Sequence, residues 1–197
     1  MSKRPLGCLF EVVETLVLTL VIFLVIQNFV AQPYQVQQMS MENTLQPGQY
    51  VLVDKLTPRL DDYGRGDVVV FSPPDGFDQD GRNTPFIKRV IGVPGDTVAI
   101  RDGRVFVNDK PLDEPYTYPG SDPHQPTDSP PDRTEWVVGP GELFVMGDHR
   151  AQSSDSRVFG TIPHDKVIGR AWLRYWPFDT FGVLPTPSYP ELAAGTP

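Results

Sequence analysis

The 197-residue chain has very little cysteine and histidine, with Cys8 as its one cysteine and three histidines, His124, His149 and His164. A single cysteine excludes an internal disulfide, whatever the redox state of the compartment. No metal-ligand spacing links the histidines, so we predict no metal site. Basic residues are scattered and outnumbered, giving a formal net charge of -8. Nucleic acid is therefore not an expected partner, because binding phosphates calls for a basic stripe.

Only one long apolar run is present. Residues 9–31 are mostly apolar, and this length can span the hydrocarbon core of a bilayer as a helix. Lys3 and Arg4 precede the run, whereas the next basic residue after it is Lys55. The positive-inside rule then predicts a cytoplasmic segment over 1–8, a single transmembrane helix over 9–31, and an extracytoplasmic remainder.

A cleavable signal peptide is the alternative interpretation of this run, with Ala31 as the last residue before the cut. Signal peptide cleavage sites require small residues at the last and third-last positions before the cut. A cut after Ala31 would place Phe29 at the third-last position. We therefore favour a retained anchor.

Beyond residue 31, short runs rich in β-branched and aromatic residues alternate with Gly, Pro and Asp, without a convincing amphipathic helix. We predict a mainly β, antiparallel domain over 32–176, with a strong hairpin signal at Asp102-Gly103. Proline-rich composition predicts an exposed loop or insertion over 113–133 and a mobile tail over 177–197. The candidate strands are 50–55, 67–72, 87–93, 97–101, 104–108, 142–146 and 167–176.

Two residues indicate chemistry. Ser40 lies a few residues beyond the apolar helix, and Lys88 lies inside the apolar run 86–91. A serine hydroxyl needs a base to become a nucleophile, and desolvation can keep a lysine in an apolar strand neutral. A surface lysine beside Arg89 is the plainer alternative. Together the two residues suggest a Ser/Lys hydrolase at a membrane surface.

Five motifs occur in order along the chain. They are Ser40-Met41-x-x-Thr44-Leu45, Arg65-Gly66-Asp67-Val68-Val69-Val70-Phe71, Ile87-Lys88-Arg89-Val90-Ile91-Gly92-Val93-Pro94-Gly95-Asp96, Met146-Gly147-Asp148-His149-Arg150 and Ser153-x-Asp155-Ser156-Arg157-x-x-Gly160. With its single amino-terminal anchor, the chain closely resembles a bacterial type I signal peptidase. The resemblance extends from the anchor to about Arg174, and it implies a catalytic domain of that family's β type.

The resemblance implies roles for individual residues. Ser40 would attack the scissile carbonyl and Lys88 would be the general base, so that neither a cofactor nor a metal is needed. Ser153 would hydrogen-bond the lysine amine and orient it. The remaining supporting residues would be an ion pair and two members of a nearby loop: Asp155 with Arg157, and Asp148 with Arg150.

Three positions depart from the family's pattern. Asn43 replaces a common proline, but it keeps a residue that favours turns. Gln38 stands where some relatives have a serine that binds the oxyanion, so the Ser40 N–H would act with Gln38 or with another backbone group. His149 replaces an asparagine and raises the alternative of a Ser-His-Asp triad with Asp148 or Asp155. Lys88 already fills the base role, and adjacent residues cannot easily form a base and its orienter.

The implied substrate is the cleavage region of a secretory signal peptide. It would bind as an extended strand beside the segment that enters Ser40 and beside the strand that carries Lys88. Small pockets would accept alanine at the last and third-last positions, which gives Ala-x-Ala specificity. Core packing is the alternative for the lining residues, most strongly for Leu45. The expected lining residues are Val36, Met41, Leu45, Phe86 and Ile87.

The implied location is the bacterial cell membrane, in a single pass with a cytoplasmic amino terminus. The expected partners are secretory preproteins and the lipid bilayer, with the secretion translocon as a further candidate. Two alternative functions stay open: a catalytically silent, membrane-anchored β scaffold, and a related self-cleaving Ser/Lys protease.

Overall fold

The computed structural model describes residues 5–56, 61–78, 81, 83–119 and 126–192. A long helix, α1 (Pro5–Val25), continues into a π-helical turn (Ile26–Val30). Within it, Leu9–Val30 is apolar enough to cross a membrane, and its 22 residues span about 33 Å at 1.5 Å per residue. The helical segment therefore covers nearly all of the predicted 9–31 span, although it begins at Pro5 and stops before Ala31.

Polar side chains within this segment find partners inside it. The hydroxyls of Thr15 and Thr19 donate to the carbonyl oxygens of Glu11 and Thr15, one turn earlier, at 2.8 Å. The Asn28 side-chain amide donates to the Leu24 carbonyl oxygen, also at 2.8 Å. Such internal bonds satisfy polar groups without water, as a hydrocarbon environment requires.

An eight-stranded antiparallel sheet forms the larger part of the β domain. Its strands are β1 (Ala31–Gln35), β2 (Tyr50–Asp54), β3 (Val68–Phe71), β4 (Phe86–Gly92), β9 (Glu142–Met146), β10 (Ile162–Pro163), β11 (Val167–Trp176) and β12 (Gly182–Val183). The order is β1-β2-β11-β3-β4-β9-β10, and β12 pairs with β11. Both β3 and β4 lie inside the sheet, which accounts for their nearly continuous apolar sequences.

A second, four-stranded sheet has the order β7-β6-β5-β8. Its strands are β5 (Thr97–Arg101), β6 (Arg104–Val107), β7 (Lys110–Pro111) and β8 (Glu135–Val137). Asp102 and Gly103 form the tight turn between β5 and β6 with φ of 51° and 73°. Two consecutive positive φ values suit the twist of a two-residue hairpin, so the predicted turn is confirmed.

The seven predicted strands are all present, each within one residue of its predicted ends. The predictions missed β1, β7, β8, β10 and β12. Four of these have two or three residues, too few for an alternating pattern. The fifth, β1, contains a proline and two glutamines and lies at the sheet edge, where only part of its surface is buried.

Both proline-rich segments have buried residues among their exposed ones. Within 113–133, Tyr116 is buried, and so is Thr127, so the described parts of this segment pack against the domain. Leu184 and Leu192 are buried in the core as well. The tail is therefore anchored up to Leu192, because apolar side chains distributed among its prolines still find core sites. Residues 120–125, which include His124, and residues 193–197 lie outside the described residues.

Candidate active site

Ser40 lies on a short 3₁₀ turn (Met39–Met41) that follows β1. The chain enters this turn from Val36, whose N–H donates to the Gln49 carbonyl oxygen at 2.8 Å. Beyond the turn, the Leu45 N–H donates to the Met41 carbonyl oxygen at 2.7 Å. Ser40 is almost completely buried.

Lys88 lies in β4, which pairs with β3 on one side and with β9 on the other. Its side chain is buried, and its Nζ lies 2.7 Å from the Ser40 Oγ. The same Nζ donates to the Ile87 carbonyl oxygen at 3.1 Å and lies 5.3 Å from the centre of the Phe86 ring. The alternative of a surface lysine is therefore wrong, and the predicted pair is within hydrogen-bonding distance.

The surroundings of Lys88 favour its neutral form. Burial lowers the pKa of the Lys88 amine to about 8, although the negative charges of Asp155 and Asp148 act in the opposite direction. An ordinary lysine has a pKa of about 10.4, so it is almost entirely charged at neutral pH. With a pKa of about 8, roughly one amine in ten is neutral at pH 7 and able to accept a proton.

The structure does not show the predicted hydrogen bond between Ser153 and the lysine amine. The Ser153 Oγ is buried, makes no hydrogen bond to the Lys88 Nζ, and lies on the side of the Asp155 carboxylate, whose pKa it helps to lower. Its side chain instead packs against Gly147, where a β-carbon would overlap it and would stand 2.5 Å from the Ser40 carbonyl oxygen. Ser153 thus lies beside the nucleophile's backbone, and Gly147 provides the space that this packing needs.

Asp155 and Arg157 form a bidentate ion pair, with 2.8 Å between each carboxylate oxygen and its guanidinium nitrogen. The Gly147 N–H also donates to Asp155 Oδ2 at 3.0 Å. Burial alone would raise the pKa of Asp155, but its bonds to Arg157 and Gly147 hold that pKa below its usual value. Asp155 is therefore a fixed negative charge that holds the Gly147 loop in place.

Asp148 pairs with Arg89, for which no functional role was predicted. Arg89 Nε and Nη2 donate to the Asp148 carboxylate at 2.9 and 2.8 Å, and both side chains are fully buried. The Thr44 hydroxyl donates to the same carboxylate at 2.5 Å. Asp148 thereby ties β4 to the chain just beyond Ser40. A buried arginine in an apolar strand needs a carboxylate partner. The position of Arg89 within such a strand could therefore have predicted this ion pair.

Arg150 has a different partner, Glu114, with which it forms an ion pair. Its Nη1 also donates to the Thr127 hydroxyl, and its Nε donates to the Gly147 carbonyl oxygen, both at 3.0 Å. Because Glu114 and Thr127 belong to the proline-rich segment, Arg150 joins that segment to the loop beside the nucleophile.

His149 is not placed as the base of a Ser-His-Asp triad. Its Nδ1 lies 2.7 Å from a Glu42 carboxylate oxygen, and its ring stacks on Tyr118 at 4.3 Å between ring centres. Among the described hydrogen bonds, none joins the His149 ring to Ser40, Asp148 or Asp155. Its backbone N–H donates to the Ser40 carbonyl oxygen at 3.0 Å, which is a structural contact.

A cleft of about 150 Å³ opens beside the nucleophile turn, between residues 33–38 and the start of β4. Val36, Ile87 and Gln38 are among its lining residues, whereas Met41, Leu45 and Phe86 are not. Met41 and Leu45 are fully buried in the core beneath β2, and Phe86 packs in a separate cluster with Phe71. Of the predicted lining residues, Val36 and Ile87 thus face this cleft, whereas the other three lie in the core clusters.

Gln38 is exposed at the rim of the cleft and immediately precedes the 3₁₀ turn. No hydrogen bond of its side chain is found within the described part of the chain. In the same part, no three His, Cys, Asp or Glu side chains come together as potential metal ligands.

Comparison with known proteins identifies the family. The family model described as signal peptidase, peptidase S26, matches residues 9–176. The chain belongs to the signal peptidase family, peptidase S26. This assignment confirms the resemblance found in the sequence, and it makes the chain a serine peptidase of the signal peptidase I type, a family that cleaves signal peptides.

Relatives match most of the chain. Signal peptidase I of Leptolyngbya laminosa is 38% identical over 92% of this chain and 87% of its own length. Probable signal peptidase I-2 of Synechocystis is 36% identical over 93% of this chain and 80% of its own length. Signal peptidase I of Bacillus licheniformis is 34% identical over 90% of this chain and 94% of its own length. A crystal structure of a signal peptidase I from Enterococcus faecalis is 28% identical, with a TM-score of 0.43, and covers 56% of this chain and 97% of that chain.

Proposed function

We propose that this signal peptidase cleaves preproteins after small residues with Ser40 as nucleophile and Lys88 as general base. The observation that carries the proposal is the 2.7 Å contact between Lys88 Nζ and Ser40 Oγ. Burial places the pKa of this amine at about 8, so a neutral fraction exists at physiological pH. Geometry and basicity thus agree on the same pair.

In the acylation step, neutral Lys88 takes the hydroxyl proton while Ser40 Oγ attacks the scissile carbonyl carbon. The resulting ammonium then gives this proton to the departing amine as the C–N bond breaks. The products are the free amino terminus of the mature protein and an ester on Ser40. A water molecule, deprotonated by neutral Lys88, then attacks the ester carbonyl carbon. As the ester C–O bond breaks, the Lys88 ammonium returns the proton to Ser40 Oγ, and the signal peptide leaves with a free carboxyl terminus.

The oxyanion formed in both steps needs hydrogen-bond donors. The Ser40 N–H lies in the first turn of a 3₁₀ helix, where N–H groups have no partner inside the helix. We assign this N–H as one donor. Gln38 is the candidate for the second, because it is exposed at the cleft rim two residues before Ser40, where its amide could turn inward once a substrate is bound.

The edge of β4 beside the cleft can accept an extended peptide. β4 pairs with β9 only from Arg89 onward, so Phe86, Ile87 and Lys88 have no neighbour on that side among the described strands. A peptide can add there as a strand and place alternate side chains in the cleft. Val36 and Ile87 give the cleft an apolar lining, which suits apolar side chains such as the alanines of the proposed Ala-x-Ala cleavage site.

We further propose that the apolar segment anchors the enzyme with its amino terminus in the cytoplasm. Nine residues lie between Val30 and Ser40, so the nucleophile lies at most about 35 Å of extended chain from the helix end. A signal peptide could then keep its own apolar segment in the bilayer while its cleavage region reaches the cleft. Anchoring of this kind raises the effective concentration of the substrate. Secretory preproteins and the bilayer are the proposed partners, and the translocon is a further candidate.

The test is cleavage of a preprotein with an Ala-x-Ala site by the full chain in detergent, with the cut site identified by mass spectrometry. We expect Ser40→Ala and Lys88→Met each to reduce cleavage by at least about a thousandfold, because each removes a member of the catalytic pair. Exposed Ser188 and Lys166 provide matched controls, and Ser188→Ala and Lys166→Met should retain full activity.

Other outcomes would refute the assignment. Full cleavage by Lys88→Met would remove Lys88 as the base, and loss on His149→Ala alone would favour the histidine. A folded wild-type chain that cleaves no preprotein would support the scaffold alternative. Cleavage of the chain itself, without cleavage of the preprotein, would support the self-cleaving alternative.

A further inference from the structure

The turn that carries Ser40 cannot fix its own orientation. It consists of three residues and is closed by a single bond, from the Glu42 N–H to the Met39 carbonyl oxygen at 3.0 Å. The mechanism asks two things of this turn, since the Ser40 Oγ must face Lys88 and the Ser40 N–H must face the oxyanion. Small displacements of reacting groups can cost about a hundredfold in rate, so the support of this turn matters for the chemistry.

Three consecutive side chains beyond the nucleophile each reach a partner outside the turn. Glu42 binds the His149 ring at 2.7 Å, and Thr44 binds Asp148 at 2.5 Å. Between them, the Asn43 side-chain amide donates to the backbone carbonyl oxygens of Tyr116 and Thr117 at 3.1 and 3.2 Å. Both Asn43 partners are acceptors, so the amide must present its NH₂ group to them.

The partner segments are also joined to one another. The Tyr118 N–H donates to the Asp148 carbonyl oxygen at 2.9 Å, and the Tyr118 ring stacks on His149. The His149 N–H in turn donates to the carbonyl oxygen of Ser40 itself. The nucleophile turn, residues 116–118 and residues 148–149 therefore form one closed set of contacts.

We propose that Glu42, Asn43, Tyr118 and His149 form a brace that positions the Ser40 turn, and that the proline-rich segment contributes to catalysis through its first residues. This inference rests on the proposed catalytic role of Ser40. The four are positioning residues, because none of them contacts Lys88 or the Ser40 hydroxyl among the described hydrogen bonds. Tyr118 and its neighbours thus link an irregular segment, distant in sequence, to the geometry of the nucleophile.

Asn43 offers a clean way to break the brace, because its φ of 85° is left-handed. Asn43→Gly removes the amide while tolerating that backbone angle, whereas alanine would add strain. Asn83→Gly is the matched control, since exposed Asn83 also has a positive φ of 53°. Glu42→Ala removes the second contact, Glu42→Gln keeps an acceptor for the histidine, and Glu135→Ala is an exposed control.

Two measurements on the full-length chain in detergent test the brace. Asn43→Gly and Glu42→Ala should each lower kcat about tenfold to a hundredfold with KM within about twofold, because positioning affects the reaction more than binding. Glu42→Gln should recover most of the loss. Hydrogen–deuterium exchange of residues 37–45 should become about fivefold faster per hydrogen bond lost, and the two controls should match the wild type in both measurements.

Measuring both kcat and hydrogen–deuterium exchange allows the brace to be tested separately from the proposed function. Unchanged kcat in both Asn43→Gly and Glu42→Ala, or unchanged exchange in both, overturns the brace. If the wild type or Ser40→Ala behaves contrary to the proposed function, the exchange result still decides whether the brace exists.

Discussion

The two faces of β4 each bury a basic side chain, but only one of these side chains has a carboxylate partner. Lys88 and Arg89 are neighbours, and both are almost fully removed from solvent. Arg89 is paired with Asp148 and also donates to the Gly66 carbonyl oxygen at 2.7 Å. Lys88 has no carboxylate within hydrogen-bonding distance among the described residues, and its partners are the Ser40 hydroxyl and the Ile87 carbonyl oxygen.

The difference teaches how one strand can supply both structure and chemistry. A buried charge is stable only when it is paired, so Arg89 keeps its charge and joins elements together. A buried amine without a carboxylate partner is driven toward its neutral form, so Lys88 has the surroundings that the proposed general base needs. Because strand residues alternate between faces, adjacent positions can have these contrasting surroundings.

The largest change in stability is expected for Arg89→Met, which removes the paired basic side chain. It leaves the buried Asp148 carboxylate with the Thr44 hydroxyl but without a countercharge, which should lower the free energy of unfolding by about 3–5 kcal/mol. The measurement is urea unfolding of the full chain in detergent at pH 7. Adding Asp148→Asn to this variant should restore part of the loss, because the orphaned charge is then gone. A loss below about 1 kcal/mol for Arg89→Met would show that the pair is not structural.

Lys88→Met is expected to raise the free energy of unfolding, whereas Arg89→Met lowers it. Burial lowers the pKa of Lys88 from 10.5 to about 8, so the folded state holds this proton less tightly than the unfolded state does. That cost is about 3 kcal/mol and is fully present below pH 8. Losing the hydrogen bond to Ser40 offsets about 1 kcal/mol of the gain. The variant should therefore be inactive yet more stable by about 2 kcal/mol at pH 7.

The sign of this effect depends on pH in a defined window. As pH rises from 8 toward 10.5, folded Lys88 loses its proton before unfolded Lys88 does, so the advantage of Lys88→Met should shrink and disappear. Unfolding measurements at pH 7 and at pH 10 compare the two limits, with Lys166→Met as an exposed control. A Lys88→Met chain that is destabilised at pH 7 would contradict the assignment of Lys88 as a strained, buried base.

Much of the fold was accessible from the sequence because the signals are local. Alternating or continuous apolar runs predicted seven of the eight strands that have four or more residues, and Asp102-Gly103 predicted a hairpin. The eighth, β1, was missed because an edge position imposes little pattern. The buried residues of the proline-rich segments were missed for a related reason, since burial of Tyr116 and Leu192 depends on distant partners that composition does not show.

The candidate site was likewise predictable where motifs are local and not where contacts join distant residues. The family motifs pointed to Ser40 and Lys88, which the fold places within hydrogen-bonding distance, but they did not show what surrounds them. The resemblance grouped Asp148 with Arg150 as members of one supporting loop, and it did not show that Asp148 faces Arg89 across 59 positions. The resemblance also matched Met41 and Leu45 to the pocket lining, whereas in the fold both pack in the core.

The most direct test of the central claim is a titration of Lys88 itself in the folded, full-length chain. Lysines labelled with ¹³C at the ε-carbon can be followed by NMR across pH 6 to 11, and Lys88→Met assigns the resonance. We expect Lys88 to titrate near pH 8. If Lys88 instead titrates near about 10.4, the Ser40 hydroxyl faces an ammonium at neutral pH and Lys88 is not the base.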